Sequence, residues 1–138
     1  MREFKYEDLS LGQSEEFSVV LTKEMMDLFL RISGDTNPLH VDAVYAKSKG
    51  FKDQVAYGML VASFYSQLVG VYLPGRFCLL HGIETSFHKP AFITDTLHVS
   101  GEITYLNAAY RQIEIKASIR NQSEDIISKA KIKAGTLE

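Results

Sequence analysis

The 138-residue chain predicts a single α+β domain, residues 1–138, in which an antiparallel sheet wraps around one long central helix. Gly58 to Tyr72 carries apolar side chains around most of its circumference at helical spacing, which is typical of a buried helix. Beyond this segment the apolar period changes from helical to two, as in strands with one solvated face. A curved sheet of this size commonly leaves part of its surface to a second copy of the chain, so we expect a homodimer or a dimer of dimers.

The first half of the chain is predicted to be mainly helical. Ser14 to Leu21 is a candidate strand, and Thr22 is a candidate N-cap of a helix that ends at Gly34. Asp42 can cap a further short helix that ends near Gly50. The apolar stripe of the first helix consists of Met25, Leu28, Phe29 and Ile32.

Three strands are predicted after the buried helix, joined at Asn107–Ala109 and Asn121–Asp125. In each strand, apolar residues stand at every second position, and this spacing places the apolar side chains on one face of a sheet. The apolar sets are Leu97, Val99, Ile103 and Tyr105, then Ile113, Ile115, Ala117 and Ile119, then Ile126, Ala130, Ile132 and Ala134.

Composition gives little indication of nucleic-acid or membrane binding. The chain is 46% hydrophobic and 23% charged with a formal net charge of -2, and it has no apolar run long enough to span a bilayer. Met1 to Lys5 lacks the apolar core of a signal peptide. The single cysteine, Cys78, excludes an internal disulfide and favours the cytoplasm; we interpret it as a small buried hydrophobe rather than a nucleophile.

The segment Ser33 to His40 is the strongest candidate for a catalytic site. Within six positions it contains a carboxylate, an amide and an imidazole (Asp35, Asn37 and His40), on a loop stiffened by one glycine and one proline. An acid, a base and a group that can hold water are the parts needed to add water to a double bond or to remove it. Asp35 and His40 are the candidate proton-transfer residues, and Asn37 can hold the water or orient Asp35.

Hydration of an enoyl thioester also needs a group that stabilises the enolate oxygen. If the buried helix begins near Gly58, its free backbone N–H groups and the positive end of its dipole can serve as the oxyanion donor. Ser63 lies on the same helix, where its hydroxyl can bond a catalytic group or, as is more common, a backbone carbonyl one turn back.

The block Ser33-Gly34-Asp35-Thr36-Asn37-Pro38-Leu39-His40 resembles the hydratase motif of the MaoC-like, (R)-specific enoyl-CoA hydratases. Val55 to Leu60, Phe87 to Pro90 and Asp95 resemble further segments of that family. The resemblance implies a hot-dog fold, a dimer and a catalytic pair of Asp35 and His40 supported by Asn37. It implies an acyl-CoA or acyl-carrier-protein thioester as substrate, a backbone oxyanion donor at Gly58, and no cofactor other than the coenzyme A of the substrate.

The chain departs from the family pattern at three places. Tyr57 stands where the family usually has a histidine, which we expect to change the shape of the pocket mouth. Thr94 stands where a glycine before Asp95 is usual, and Leu80 to Glu84 also differs. These differences bear on substrate choice or on turn geometry.

Two other functions compete with a hydro-lyase. A hot-dog acyl-CoA thioesterase is disfavoured because Gly58 to Val71 contains no aspartate or glutamate. A non-catalytic acyl-thioester-binding module would leave Asp35 and His40 with structural roles. No metal is expected, because the spacing of His81, His88 and His98 is not that of a zinc site. Lys129, Lys131 and Lys133 share one strand face, for which solvation is the default interpretation.

Overall fold

The computed structural model describes residues 1–138 and contains four α-helices and five β-strands. A 3-10 turn at Tyr6–Asp8 precedes the first strand, and a π-helical turn at Leu68–Tyr72 extends the fourth helix. In chain order the elements are β1 (Ser14–Val20), α1 (Lys23–Ser33), α2 (Pro38–Val41), α3 (Ala43–Ser48), α4 (Gly58–Gln67), β2 (Cys78–Phe87), β3 (Thr96–Asn107), β4 (Gln112–Arg120) and β5 (Ile126–Thr136).

The five strands form one sheet in the order β1-β3-β4-β5-β2, with every neighbouring pair antiparallel. α4 supplies Val61 and Tyr65 to the core, the π-helical turn supplies Leu68, and each is at most 1% exposed. The alternating residues of β3, β4 and β5 supply the opposite side of the same core, including Ile115 and Ile132, both fully buried. The predicted α+β fold class, with a sheet around a central helix, is therefore confirmed.

β2 is the strand that the sequence pattern marks least clearly. A bulge between Leu80 and Gly82 breaks its register with β5, so its apolar residues do not keep a period of two. Leu80, Ile83 and Phe87 are 46%, 42% and 48% exposed because β2 lies at the edge of the sheet and pairs with β5 alone.

The caps of α1 follow the sequence prediction, but its buried face differs. The Thr22 hydroxyl accepts a hydrogen bond from the Met25 N–H at 3.2 Å, and Gly34 ends the helix with a φ of 69°. Met26 is the buried residue of α1, whereas Ile32 is 83% exposed. The last turn leads into the exposed loop at residues 33–38, so no element covers Ile32.

α4 is also less uniformly buried than its composition indicates. Met59 is 64% exposed and shares an outward stripe with Ser63, Ser66 and Gln67, because α4 packs against the sheet with its opposite face. α1 and α4 have 11 and 10 residues, and neither they nor the shorter helices have the length and hydrophobicity that a bilayer span requires.

A tight turn before β3 fixes the chain that runs beside the start of α4. The Asp95 carboxylate, 5% exposed, accepts hydrogen bonds from the Phe92 N–H and from the Gln122 side-chain amide, each at 2.9 Å. Thr94 adopts a left-handed φ of 78°, which explains why glycine suits this position. The Ala91 carbonyl, just before this turn, accepts the Ala56 N–H at 2.8 Å and so anchors the segment that enters α4.

Candidate active site

The loop between α1 and α2 is held by a relay of side-chain to backbone hydrogen bonds. The Ser33 hydroxyl accepts the Asp35 N–H at 3.2 Å, and the Asp35 carboxylate accepts the Asn37 N–H at 3.0 Å. The Asn37 side-chain oxygen then accepts the Leu39 N–H at 3.0 Å and caps α2, whose first residue is Pro38. These bonds give an exposed loop one defined shape, and they leave the second carboxylate oxygen of Asp35 free.

Asn37 supports Asp35 by a different group from the one the sequence indicates. We expected its side-chain amide to orient Asp35 or to hold water, but its side-chain oxygen is engaged in capping α2. The contact with the Asp35 carboxylate comes from the backbone N–H of Asn37. The side-chain NH2 of Asn37 has no protein acceptor, so it is the group that remains for holding a water molecule.

His40 lies on α2 with its ring orientation fixed. Its Nδ1 is 2.7 Å from the Val55 carbonyl oxygen, and a carbonyl can only accept, so Nδ1 carries the hydrogen. The peptide N–H of Val55 donates back to the Leu39 carbonyl at 3.1 Å, which ties α2 to the segment before α4. The remaining nitrogen, Nε2, has no protein partner and is free for proton transfer.

Tyr57 connects the two candidate catalytic residues. Its hydroxyl donates a 2.8 Å hydrogen bond to the backbone carbonyl of Asp35. Its ring lies 4.3 Å from the His40 imidazole and 4.9 Å from the Phe29 ring, measured between centroids. Burial and the nearby charge of Asp35 raise the pKa of Tyr57 above its usual value, so the hydroxyl stays protonated and remains a donor.

Tyr57 lies below the surface of the protein, and its effect on the shape of the pocket mouth stays a prediction. Tyr57 is 2% exposed and lies beneath the loop, and it does not line the cavity described next. The Ala56 N–H, just before Tyr57, donates to the Ala91 carbonyl. With the backbone held there, the Tyr57 ring packs inward against Phe29.

A cavity of about 210 Å³ lies at the start of α4, and both His40 and Gly58 line it. Gly58 is the first residue of α4, as the sequence predicts, and neither its N–H nor that of Met59 has a protein acceptor. A Cβ on Gly58 would lie 3.3 Å from the Phe87 ring, so glycine also allows close packing here. The other lining residues include Val55, Ala56, Val61, Phe87, His88, Ala91 and Ile127.

Ser63 does not approach the catalytic loop. Its hydroxyl donates to the Leu60 carbonyl at 2.6 Å, which is the second of the two roles that the sequence left open. It lines a separate groove of about 240 Å³ between α4 and β2, together with Met59, Leu80 and Ile83.

The groups that orient His40 could not be predicted from the sequence. The Val55 carbonyl that fixes its tautomer is a backbone atom, for which no residue type gives a signal. The face of the Tyr57 ring is a second such group, and the departure from the usual histidine at that position was its one visible signal.

The remaining histidines take part in separate, local hydrogen bonds. His81 bonds the Gln112 side chain at 2.8 Å, and His98 bonds the Ser18 hydroxyl at 2.7 Å. His88 lines the cavity near His40 and bonds Ser86 at 3.0 Å. The three are therefore distributed over different contacts.

Comparison with known proteins gives consistent matches. The family model for the MaoC like domain matches residues 9–125. An (R)-specific enoyl-CoA hydratase of Rhodospirillum rubrum is 36% identical over 101 residues, which are 73% of this chain and 70% of that protein. An (R)-specific enoyl-CoA hydratase of Aeromonas caviae is 34% identical over 100 residues, 72% of this chain and 75% of that protein.

Solved structures agree with the sequence matches. The unliganded R-hydratase PhaJ1 of Pseudomonas aeruginosa superposes with a TM-score of 0.90 at 28% identity, covering 96% of this chain and 85% of that one. The (R)-hydratase of A. caviae involved in PHA biosynthesis gives 0.89 at 28% identity, covering 93% and 97%. The predicted hot-dog fold and the predicted hydro-lyase class are confirmed, at the level of a hydratase or dehydratase. The chain belongs to the MaoC-like domain family.

Proposed function

We propose that this protein adds water reversibly to a trans-2-enoyl thioester to give the (R)-3-hydroxyacyl thioester, with Asp35 and His40 as the catalytic pair. The observation that carries the proposal is that one side chain, Tyr57, joins Asp35 to His40, and that His40 shares a cavity with Gly58, a cavity that Asp35 itself does not line. Tyr57 contacts both Asp35 and His40, and the next residue, Gly58, offers a free N–H into the cavity that His40 lines.

The proton transfers are assigned from the atoms that remain free. In the hydration direction, the unbonded oxygen of the Asp35 carboxylate takes a proton from water as the water oxygen forms its bond to C3. Protonated His40 gives the proton on Nε2 to C2. Exchange with solvent then removes the proton from Asp35 and restores the one on His40, and the dehydration uses the same steps in reverse. The Val55 carbonyl accepts from Nδ1–H in both charge states of the ring, so Nε2 can gain or lose its proton without disturbing that bond.

The thioester oxygen becomes negatively charged between these two transfers. The free N–H of Gly58, at the positive end of the α4 dipole, is the proposed donor to that oxygen. A preorganised donor of this kind contributes about 10²–10³-fold to the rate. The proposal needs no separate cofactor, because coenzyme A or the carrier protein enters as part of the substrate. Fatty-acid metabolism in the cytoplasm is the proposed setting.

A homodimer through the β2 edge is part of the proposal. The edge strand carries Leu80, Ile83 and Phe87, each nearly half exposed, beside Met59 on α4. An exposed apolar edge with unpaired backbone groups favours pairing with a second strand. We expect analytical ultracentrifugation to give a dimer, and Ile83→Lys to shift it to monomer. A monomeric wild type at micromolar concentration would refute this part.

The enzymatic proposal is tested by the loss of enoyl-thioester absorbance on mixing with crotonyl-CoA and with longer 2-enoyl-CoAs. We expect Asp35→Asn and His40→Gln each to lower kcat by about 10²–10⁴-fold, the usual contribution of general acid–base catalysis, with the thermal unfolding curve retained. Chiral analysis of the product should give the (R)-3-hydroxyacyl-CoA. Near-full turnover by either variant would show that the roles are wrongly assigned.

The same preparation discriminates the two competing functions. Release of free coenzyme A from a saturated acyl-CoA would indicate a thioesterase. Stabilisation of the protein by acyl-CoA, without hydration of an enoyl-CoA and without hydrolysis of a saturated acyl-CoA, would indicate a binding module. His40 and Gly58 line one cavity, which supports the hydratase over the binding module by placing a proton-transfer group beside an oxyanion donor.

A further inference from the structure

Tyr57 contacts both proposed catalytic residues, Asp35 and His40, and directly precedes Gly58 in the sequence. Its hydroxyl reaches the Asp35 backbone, its ring covers the His40 imidazole, and the residue that follows it is Gly58. The side chain is 2% exposed, with its hydroxyl bonded to the Asp35 carbonyl and its ring packed on His40. Its effect on the reaction must therefore pass through the residues it holds.

The hydrogen bond from the Tyr57 hydroxyl to the Asp35 carbonyl holds the middle of the catalytic loop against the start of α4. The side-chain bonds of the relay join residues two positions apart, so by themselves they define a local shape. Ser33 and His40 tie the two ends of the loop to α1 and to Val55, and neither bond holds Asp35 in the middle. The Tyr57 bond spans 22 residues and ties that shape to the start of α4.

The contact with His40 completes the constraint on the imidazole. The Nδ1–H bond to the Val55 carbonyl leaves the ring some freedom to tilt about its Cβ–Cγ bond. The face of Tyr57, tilted by 32° at 4.3 Å, limits this rotation and so fixes the direction of Nε2. The aromatic ring of Phe29 lies 4.9 Å from Tyr57 and supports it in turn.

We propose that Tyr57 is the positioning residue of the catalytic pair: its hydroxyl places the Asp35 carboxylate and its ring places the His40 imidazole relative to the Gly58 N–H. The inference rests on the proposed hydration of an enoyl thioester.

The first test compares Tyr57→Phe with Tyr65→Phe. Tyr65 is a matched control, since it is also a buried tyrosine of this segment, 1% exposed, with one hydroxyl bond at 3.0 Å to the Ser128 hydroxyl. Tyr57→Phe keeps the ring on His40 and removes only the bond to Asp35. We expect kcat with a 2-enoyl-CoA to fall by about 10–100-fold with KM within about twofold, because small misplacements of a catalytic group have effects of this size. Tyr65→Phe should leave kcat unchanged.

A second measurement separates positioning from a general loss of structure. In an Asp35→Asn background, Tyr57→Phe should lower the residual kcat by less than about threefold, because the group it positions is already gone. A full 10–100-fold loss in that background, or an unchanged kcat for Tyr57→Phe alone, overturns the inference.

A third measurement needs no substrate. Amide hydrogen exchange by NMR should speed up at Asn37 and Leu39 in Tyr57→Phe and not in Tyr65→Phe, because the loop loses its anchor to α4. Unchanged exchange at both amides overturns the positioning role even if activity is lost. If the wild type hydrates no enoyl thioester, the proposed function fails, and the exchange result still decides whether Tyr57 holds the loop.

Discussion

Replacing Asp95 by alanine should destabilise the protein through a turn that lies away from the catalytic loop. The Asp95 carboxylate accepts two hydrogen bonds, from the Phe92 N–H and from the Gln122 amide, each at 2.9 Å, and is 5% exposed. Alanine leaves the half-buried Phe92 N–H without an acceptor, which costs about 1–3 kcal/mol. The exposed Gln122 amide can turn to water, so that bond adds only about 0.5–1.5 kcal/mol.

The expected loss is therefore about 1.5–4.5 kcal/mol in the free energy of unfolding, or about 10 °C in Tm for a chain of this length. Chemical denaturation and calorimetry measure it directly. The matched control is Asp27→Ala, which removes an exposed pair with Lys23 at 2.9 Å and should cost at most about 0.5 kcal/mol. A loss below about 1 kcal/mol for Asp95→Ala would refute the view that the carboxylate holds the turn.

Three further results are expected. Gly58→Ala should change the free energy of unfolding by less than about 1 kcal/mol, because the better helix propensity of alanine offsets the displacement of Phe87. The same substitution should lower kcat/KM with enoyl-CoA, because Phe87 lines the cavity. An unchanged kcat/KM would contradict this expectation. Thr94→Gly should raise Tm, because relief of a φ of 78° is worth about 1–2 kcal/mol and exceeds the entropy cost of glycine; a lower Tm than in Thr94→Ala would count against it. Burial raises the pKa of Cys78 to about 11. Alkylation of this thiol in the native state at pH 8 should therefore be roughly 100-fold slower than in the unfolded chain. Equal rates would show that the thiol is not buried in this way.

The sequence predicted the elements whose signals are local. Thr22, Gly34 and Asp42 mark helix ends by hydrogen-bonding or backbone rules that act within a few residues, and each has the predicted role. The alternation in β3, β4 and β5 predicted most of their buried residues, because each of these strands is paired on both sides and packs on α4. It failed near two register shifts, where Tyr105 is 48% exposed and Ile127 is buried in place of Ile126.

The features that the sequence did not predict depend on tertiary contacts. β2 lies at an edge with a bulge, so its apolar residues are not confined to one face. Ile32 and Met59 are apolar at helical spacing, yet both are exposed because no other part of the chain covers them. A β2-edge dimer would bring a second chain close to Met59, which is one way for such a residue to be buried in an assembly.

The candidate site was identified as a set of residues but not as a geometry. The spacing of Asp35, Asn37 and His40 and the helix start at Gly58 were available from the sequence. The use of the Asn37 side chain as a cap and the bond from His40 to the Val55 carbonyl were not, because both depend on how the loop folds onto the segment before α4. The catalytic roles themselves stay predictions.

The most direct test of the central claim is the kcat for crotonyl-CoA hydration by the wild type, Asp35→Asn, His40→Gln and the double variant. Residues that act together on one reaction lose most of the rate when either is removed. We predict measurable turnover by the wild type, losses of about 10²–10⁴-fold in each single variant, and a double variant no more than about tenfold slower than the slower single one. A double variant whose loss equals the product of the two single losses would contradict the claim that Asp35 and His40 act as a pair.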